Sequence, residues 1–115
     1  ARMKLNHLNL TVTDVRAAHN FLQTYFGMTP LTEPDKSMSF LTDKNGMVLS
    51  LFRGKEVRYP KLFHIGFIQA NEAKVDEINA SLKADGYDVP PPSRQHGSWT
   101  FYMEAPGGFT VEVLS

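Results

Sequence analysis

Asn6-His7-Leu8-Asn9 near the start of the chain returns in mid-chain as Phe63-His64-Ile65-Gly66, 57 positions later. Leu5 and Leu62 match at the same offset, as do Asp14 and Asn71, both of which can cap a helix. Downstream, Lys44-Asn45-Gly46-Met47-Val48-Leu49-Ser50-Leu51 resembles Ala105-Pro106-Gly107-Gly108-Phe109-Thr110-Val111-Glu112-Val113, now at an offset of 62. A few inserted residues account for the drift. The chain reads as one motif written twice, with Ser50 at the place in the first copy that Glu112 holds in the second.

Within each copy the apolar pattern changes period. Leu8, Leu10 and Val12 alternate with His7, Asn9 and Thr11, the signature of a strand with one buried face. Thr13 or Asp14 then caps a helix to about Phe26, with Ala18, Phe21, Leu22, Tyr25 and Phe26 as its apolar stripe and Gly27 as its stop. His19 is expected on the polar, surface side of that helix. Strands are expected at about 29–33, 37–43 and 47–53. The second copy repeats the course: a strand through Phe63, Ile65 and Phe67, a helix from about Glu72 to Asp85, and strands at about 87–91, 98–104 and 109–114. Pro90-Pro91-Pro92 interrupts the first of these. Residues 93–98 read as a polar loop. The fold class is α+β: two βαβββ modules, about 3–54 and 61–115, forming a curved mixed sheet with helices outside.

Length and composition set further bounds. One domain over residues 1–115 is expected, and 42% apolar residues can fill a core. Twelve basic residues balance twelve acidic ones, so neither nucleic acid nor an anionic membrane surface is an expected partner. The absence of cysteine excludes disulfides, thiolate metal sites and cysteine nucleophiles. No apolar run reaches bilayer length and no signal peptide is visible, so a cytoplasmic location is expected.

Strand parity selects the candidate site. His7, His64, Glu112, Ser50 and Tyr102 all lie on the faces opposite the core-forming residues. Two imidazoles and a carboxylate are a ligand set for one divalent ion, Fe(II), Mn, Zn or Ni, with positions left open. A single strand histidine would be weak evidence; two at equivalent points of a repeat are stronger. Trp99, Phe101 and Met103 are expected in the core. His96, in the Ser-Arg-Gln-His-Gly-Ser segment, is a candidate acid or base, and Asn9, Ser50, Phe52 and Arg94 are candidates for substrate contact.

With those residues in place, the chain resembles the vicinal oxygen chelate superfamily, which includes glyoxalase I, bleomycin and fosfomycin resistance proteins and extradiol dioxygenases. The resemblance rests on Leu5 to Leu10, the helix ending Tyr25-Phe26-Gly27, the His64 strand, and Phe101 to Glu112 with its Pro106-Gly107-Gly108 turn. It implies a half-open barrel of two βαβββ modules around a metal, a homodimer, and a small-molecule substrate whose adjacent oxygens the metal chelates. It implies His7, His64 and Glu112 as metal ligands and Tyr102 as a pocket residue. Ser50 stands where glyoxalase I and methylmalonyl-type epimerases carry a fourth ligand, which argues against those two activities. Asn9 in place of a threonine, and the missing lysine and serine pattern near Pro90-Pro91-Pro92, argue against fosfomycin resistance. The expected function is a metal-dependent enzyme of glyoxalase or dioxygenase type. The alternative is a dimeric bleomycin-resistance-type binding protein without catalysis.

Overall fold

A computed structural model describes residues 1–115. The elements run β1 (His7–Val12), α1 (Val15–Phe26), β2 (Thr29–Pro30), β3 (Met38–Thr42), β4 (Val48–Arg53), β5 (Ile65–Ile68), α2 (Glu72–Ala84), β6 (Ser93–Gln95), β7 (Ser98–Ala105) and β8 (Phe109–Leu114). This is βαβββ twice. Each module forms a four-stranded mixed sheet, in orders β1-β4-β3-β2 and β5-β8-β7-β6, as the two-module α+β reading expected. The chain divides into two compact units: residues 1–58 with the Pro106–Gly108 turn, and residues 59–105 with 109–115.

In the first unit β1 runs parallel to β4, and β3 pairs antiparallel with both β4 and β2. Leu10, Val12, Leu41, Leu49 and Leu51 are buried on one face, together with Val15, Ala18, Phe21 and Leu22 of α1. Asp14 caps α1 by accepting from the Ala17 amide at 3.0 Å, and Gly27 ends the helix in the left-handed region. Gly107 has φ +99°, and a Cβ there would lie 3.0 Å from that of Val12, so the turn takes glycine for both reasons. Its carbonyl accepts from Thr13 N–H at 3.0 Å.

His19 corrects the surface expectation: it is buried, with Nδ1 at 2.6 Å from Ser39 Oγ on β3. Positions 15, 18, 19 and 22 form an i, i+3, i+4, i+7 row, so His19 falls inside the packed stripe. A hydroxyl opposite it makes the burial of an imidazole affordable.

The second unit follows the same plan, with β5 parallel to β8 and β7 antiparallel to β8 and β6. Asn71 caps α2 through the Lys74 amide. Val75 and Leu82 are buried with Phe101, Met103, Phe109, Val111 and Val113. The strand expected at 87–91 is absent. Prolines 90–92 have no N–H to give a ladder, so pairing begins at Ser93. The Pro90 carbonyl is instead satisfied by the buried Asn79 side chain at 2.8 Å. The polar loop expected over 93–98 is a hairpin, with His96 and Gly97 both at positive φ between β6 and β7. Trp99, expected in the core, is half-buried and donates to Asp76 at 2.8 Å.

Candidate functional site

The ladder register makes the repeat quantitative. Asn9 pairs with Ser50 and Gly66 with Glu112; Phe40 pairs with Ser50 and Tyr102 with Glu112. The two copies thus superpose at the offsets of 57 and 62 read from the sequence. Asn9, Phe40 and Ser50 in the first module answer to Gly66, Tyr102 and Glu112 in the second.

In the second unit, His64 lies one residue before β5, and its Nε2 is 3.3 Å from Glu112 Oε1 on β8. The imidazole is 37% exposed and the carboxylate 13%, so the pair opens to solvent on the imidazole side. His64 Nδ1 is 2.9 Å from the Leu62 carbonyl. A carbonyl only accepts, so Nδ1 carries the proton and Nε2 of the neutral ring carries a lone pair. That lone pair faces a carboxylate oxygen, another acceptor. The contact is favourable only with a cation shared between the two atoms: a second proton on the ring or a metal ion. Two ligands held about 2.0–2.2 Å from one ion at near a right angle lie about 3 Å apart, which the observed separation fits.

Glu112 Oε2 accepts from Thr100 Oγ1 at 2.7 Å; Thr100 Oγ1 is also 3.1 Å from the Val113 carbonyl. Tyr102 faces Glu112 across the β7–β8 ladder, and its ring packs edge-on against His64 at 5.2 Å. Burial first, then the hydrogen bond to Glu112 and that carboxylate's charge, raise the Tyr102 phenol above its ordinary value. At neutral pH Tyr102 Oη keeps its proton.

In the first unit, His7 opens β1 and is exposed, with Nδ1 2.7 Å from Asn6 Oδ1. Asn6 Oδ1 takes the ring proton as the Leu62 carbonyl does for His64, which again leaves Nε2 bare. Asn9 Nδ2 donates to Ser50 Oγ at 2.7 Å. Phe52 is 42% exposed on the same sheet face and meets Phe40 edge-on at 6.1 Å.

The sequence-selected residues therefore assemble in part. His64, Tyr102 and Glu112 come together, as do Asn9 and Ser50. His7 belongs to the first unit, and His64 and Glu112 to the second. Arg94 is committed elsewhere: its guanidinium bonds Glu72 of α2 at 2.7 Å and lies 5.5 Å over the Trp99 ring. His96 occupies the exposed hairpin turn. Thr100 was not singled out from the sequence, although its parity with Tyr102 and Glu112 places it on their face.

Comparison with known proteins fits this geometry. The sequence profile of the Glyoxalase/Bleomycin resistance protein/Dioxygenase superfamily matches residues 4–113, nearly the whole chain. The chain belongs to that superfamily. Among solved structures, a possible glyoxalase from Bacillus cereus is 51% identical, with a TM-score of 0.93 over 99% of this chain and 100% of that one. Two more distant structures share the fold. The fosfomycin resistance protein FosX from Listeria monocytogenes is 22% identical at TM-score 0.82, covering 99% of this chain and 93% of that one. Lactoylglutathione lyase from Agrobacterium tumefaciens is 22% identical at 0.78, covering 98% and 93%. No functionally curated protein matches. No helix is long and apolar enough to cross a membrane.

Proposed function

We propose that this chain is a divalent-metal-dependent enzyme acting on a small molecule with adjacent oxygens. The observation that carries the reading is the His64–Glu112 pair, Nε2 and Oε1 3.3 Å apart with the other imidazole nitrogen tied to a carbonyl. A histidine whose far nitrogen donates to a backbone oxygen is oriented as metal-binding histidines are. Bound there, a divalent ion supplies Lewis acidity toward a substrate oxygen. The protein's own part is then plain. Glu112 and His64 would supply the donor atoms, and Tyr102, protonated at neutral pH, packs edge-on against the His64 ring beside them. Asn9, Ser50 and Phe52 present a polar pair beside an aromatic ring for substrate contact. His96, on the β6–β7 turn, is the remaining candidate for proton transfer.

His7 completes the ligand set from a second copy of the chain, in a cytoplasmic homodimer. His7 carries the same oriented imidazole as His64. The alternative, a binding protein without catalysis, draws on the exposed Phe52 and its contact with Phe40 as a seat for an apolar ligand.

The deciding experiment is metal titration of chelator-stripped protein by calorimetry. One ion per chain is expected, with His64→Ala and Glu112→Ala each weakening binding by about a hundredfold or more. Wild-type protein that takes up no divalent ion at millimolar concentration would leave His64–Glu112 an ordinary ion pair and favour the binding-protein reading.

A further inference from the structure

The two modules serve as each other's control. Positions 38, 40 and 50 of the first answer to 100, 102 and 112 of the second. The first module has Met38, Phe40 and Ser50; the second has Thr100, Tyr102 and Glu112. Where the carboxylate is present, two apolar side chains of the same sheet face are replaced by hydroxyl-bearing ones, and the Thr100 hydroxyl bonds the carboxylate. Thr100 is the buried member of this set, 1% exposed, and its bond to Glu112 Oε2 is 2.7 Å. A hydroxyl has one proton, and the shorter, charge-assisted contact to the carboxylate claims it over the Val113 carbonyl at 3.1 Å.

We infer that Thr100 is a positioning residue for the metal-binding carboxylate, an inference that rests on the metal-dependent reading above. A glutamate carboxylate rotates about its terminal bond with little resistance, and either oxygen can turn toward a ligand. By engaging Oε2 from below, Thr100 commits Oε1 to the side of His64 Nε2, so that the carboxylate ligates through one oxygen. The hydrogen-bond partners of Thr100 Oγ1 are Glu112 Oε2 and the Val113 carbonyl. The effect of Thr100 passes through Glu112, as groups behind metal ligands act generally. Replacement by an isosteric apolar side chain removes the clamp without opening a void, because valine and threonine have nearly the same volume.

The test uses Thr100→Val and Thr100→Ser in the full chain, titrated with Zn(II), Mn(II) and Ni(II) after chelator stripping, alongside thermal unfolding of the metal-free proteins. Thr100→Val is expected to bind metal about ten- to a hundredfold more weakly than wild type. Thr100→Ser, which keeps the hydroxyl, is expected to stay within about threefold. A merely structural role would show as lowered melting of the metal-free protein in both variants with no rescue of affinity by serine, and that result overturns the inference. Equal affinity of wild type and Thr100→Val also overturns it while leaving the metal reading intact. Failure of wild type itself to bind any of the three ions removes the metal reading and this inference together.

Discussion

Tyr102 stands directly across the β7–β8 ladder from Glu112. After burial, the neighbouring carboxylate raises the phenol's midpoint. In metal-free protein, tyrosinate absorbance attributed by difference to Tyr102→Phe should rise above the ordinary phenol midpoint of about 10. Glu112→Gln removes the negative neighbour and should move that midpoint down, though not fully, since burial remains the larger cause. The folded value is raised, so the associated stabilisation is present below the unfolded midpoint and is lost as pH rises through the folded one. Wild type should accordingly lose more stability than Tyr102→Phe above pH of about 10. An unmoved midpoint in Glu112→Gln would contradict the observed coupling.

Completion of the site across two chains has a sharp signature. His7→Ala and Glu112→Ala homodimers should each fail to bind metal. On mixing and exchange, a heterodimer joins intact His64 and Glu112 of one chain with intact His7 of the other. Half the dimers then carry one good site of two, so about a quarter of wild-type stoichiometry should return. With all three ligands drawn from one chain, mixing restores nothing. Sedimentation should give twice the 13.0 kDa chain mass.

Ser39 Oγ is the hydroxyl 2.6 Å from the buried His19 ring. Ser39→Ala strands that nitrogen away from water and should cost about 1–3 kcal/mol in urea unfolding. His19→Leu, by removing the polar group with its need for a partner, should cost less in the Ser39→Ala background than the two separate effects combined.

Asp35 shapes the turn into β3. Its carboxylate accepts from the Met38 and Ser37 amides, and those two bonds, Met38 first, hold its pKa below the ordinary carboxylate range. The folded value is depressed, so the stabilisation is present above the unfolded midpoint of about 4 and is lost as pH falls through the folded one. Asp35→Asn should be less stable than wild type at neutral pH, and the gap should close in acid. A gap independent of pH would show that the charge plays no part.

Much of this molecule is legible in its sequence because its determinants are local. The period-2 run from His7 to Val12, the Asp14 and Asn71 caps, Gly27, and the 57- and 62-residue offsets specify strands, helices and their repetition before any long-range contact is considered. Parity alone then puts His64, Tyr102 and Glu112 on one face, since side chains in a strand alternate whatever packs around them. What the neighbours do with those side chains was not legible. The burial of His19 required β3 to bring Ser39 opposite it. Arg94 was drawn to Glu72 and Trp99 because α2 lies beside the β6–β7 hairpin, and the triple proline moved that hairpin's first strand past position 92. Thr100 became a partner of Glu112 diagonally across the β7–β8 ladder, in which it pairs with Leu114, and the orientation of the His64 ring was decided by the position of the Leu62 carbonyl. Alternation and capping are properties of a segment; hydrogen-bond partners across strands and helices depend on distances that only the folded chain sets.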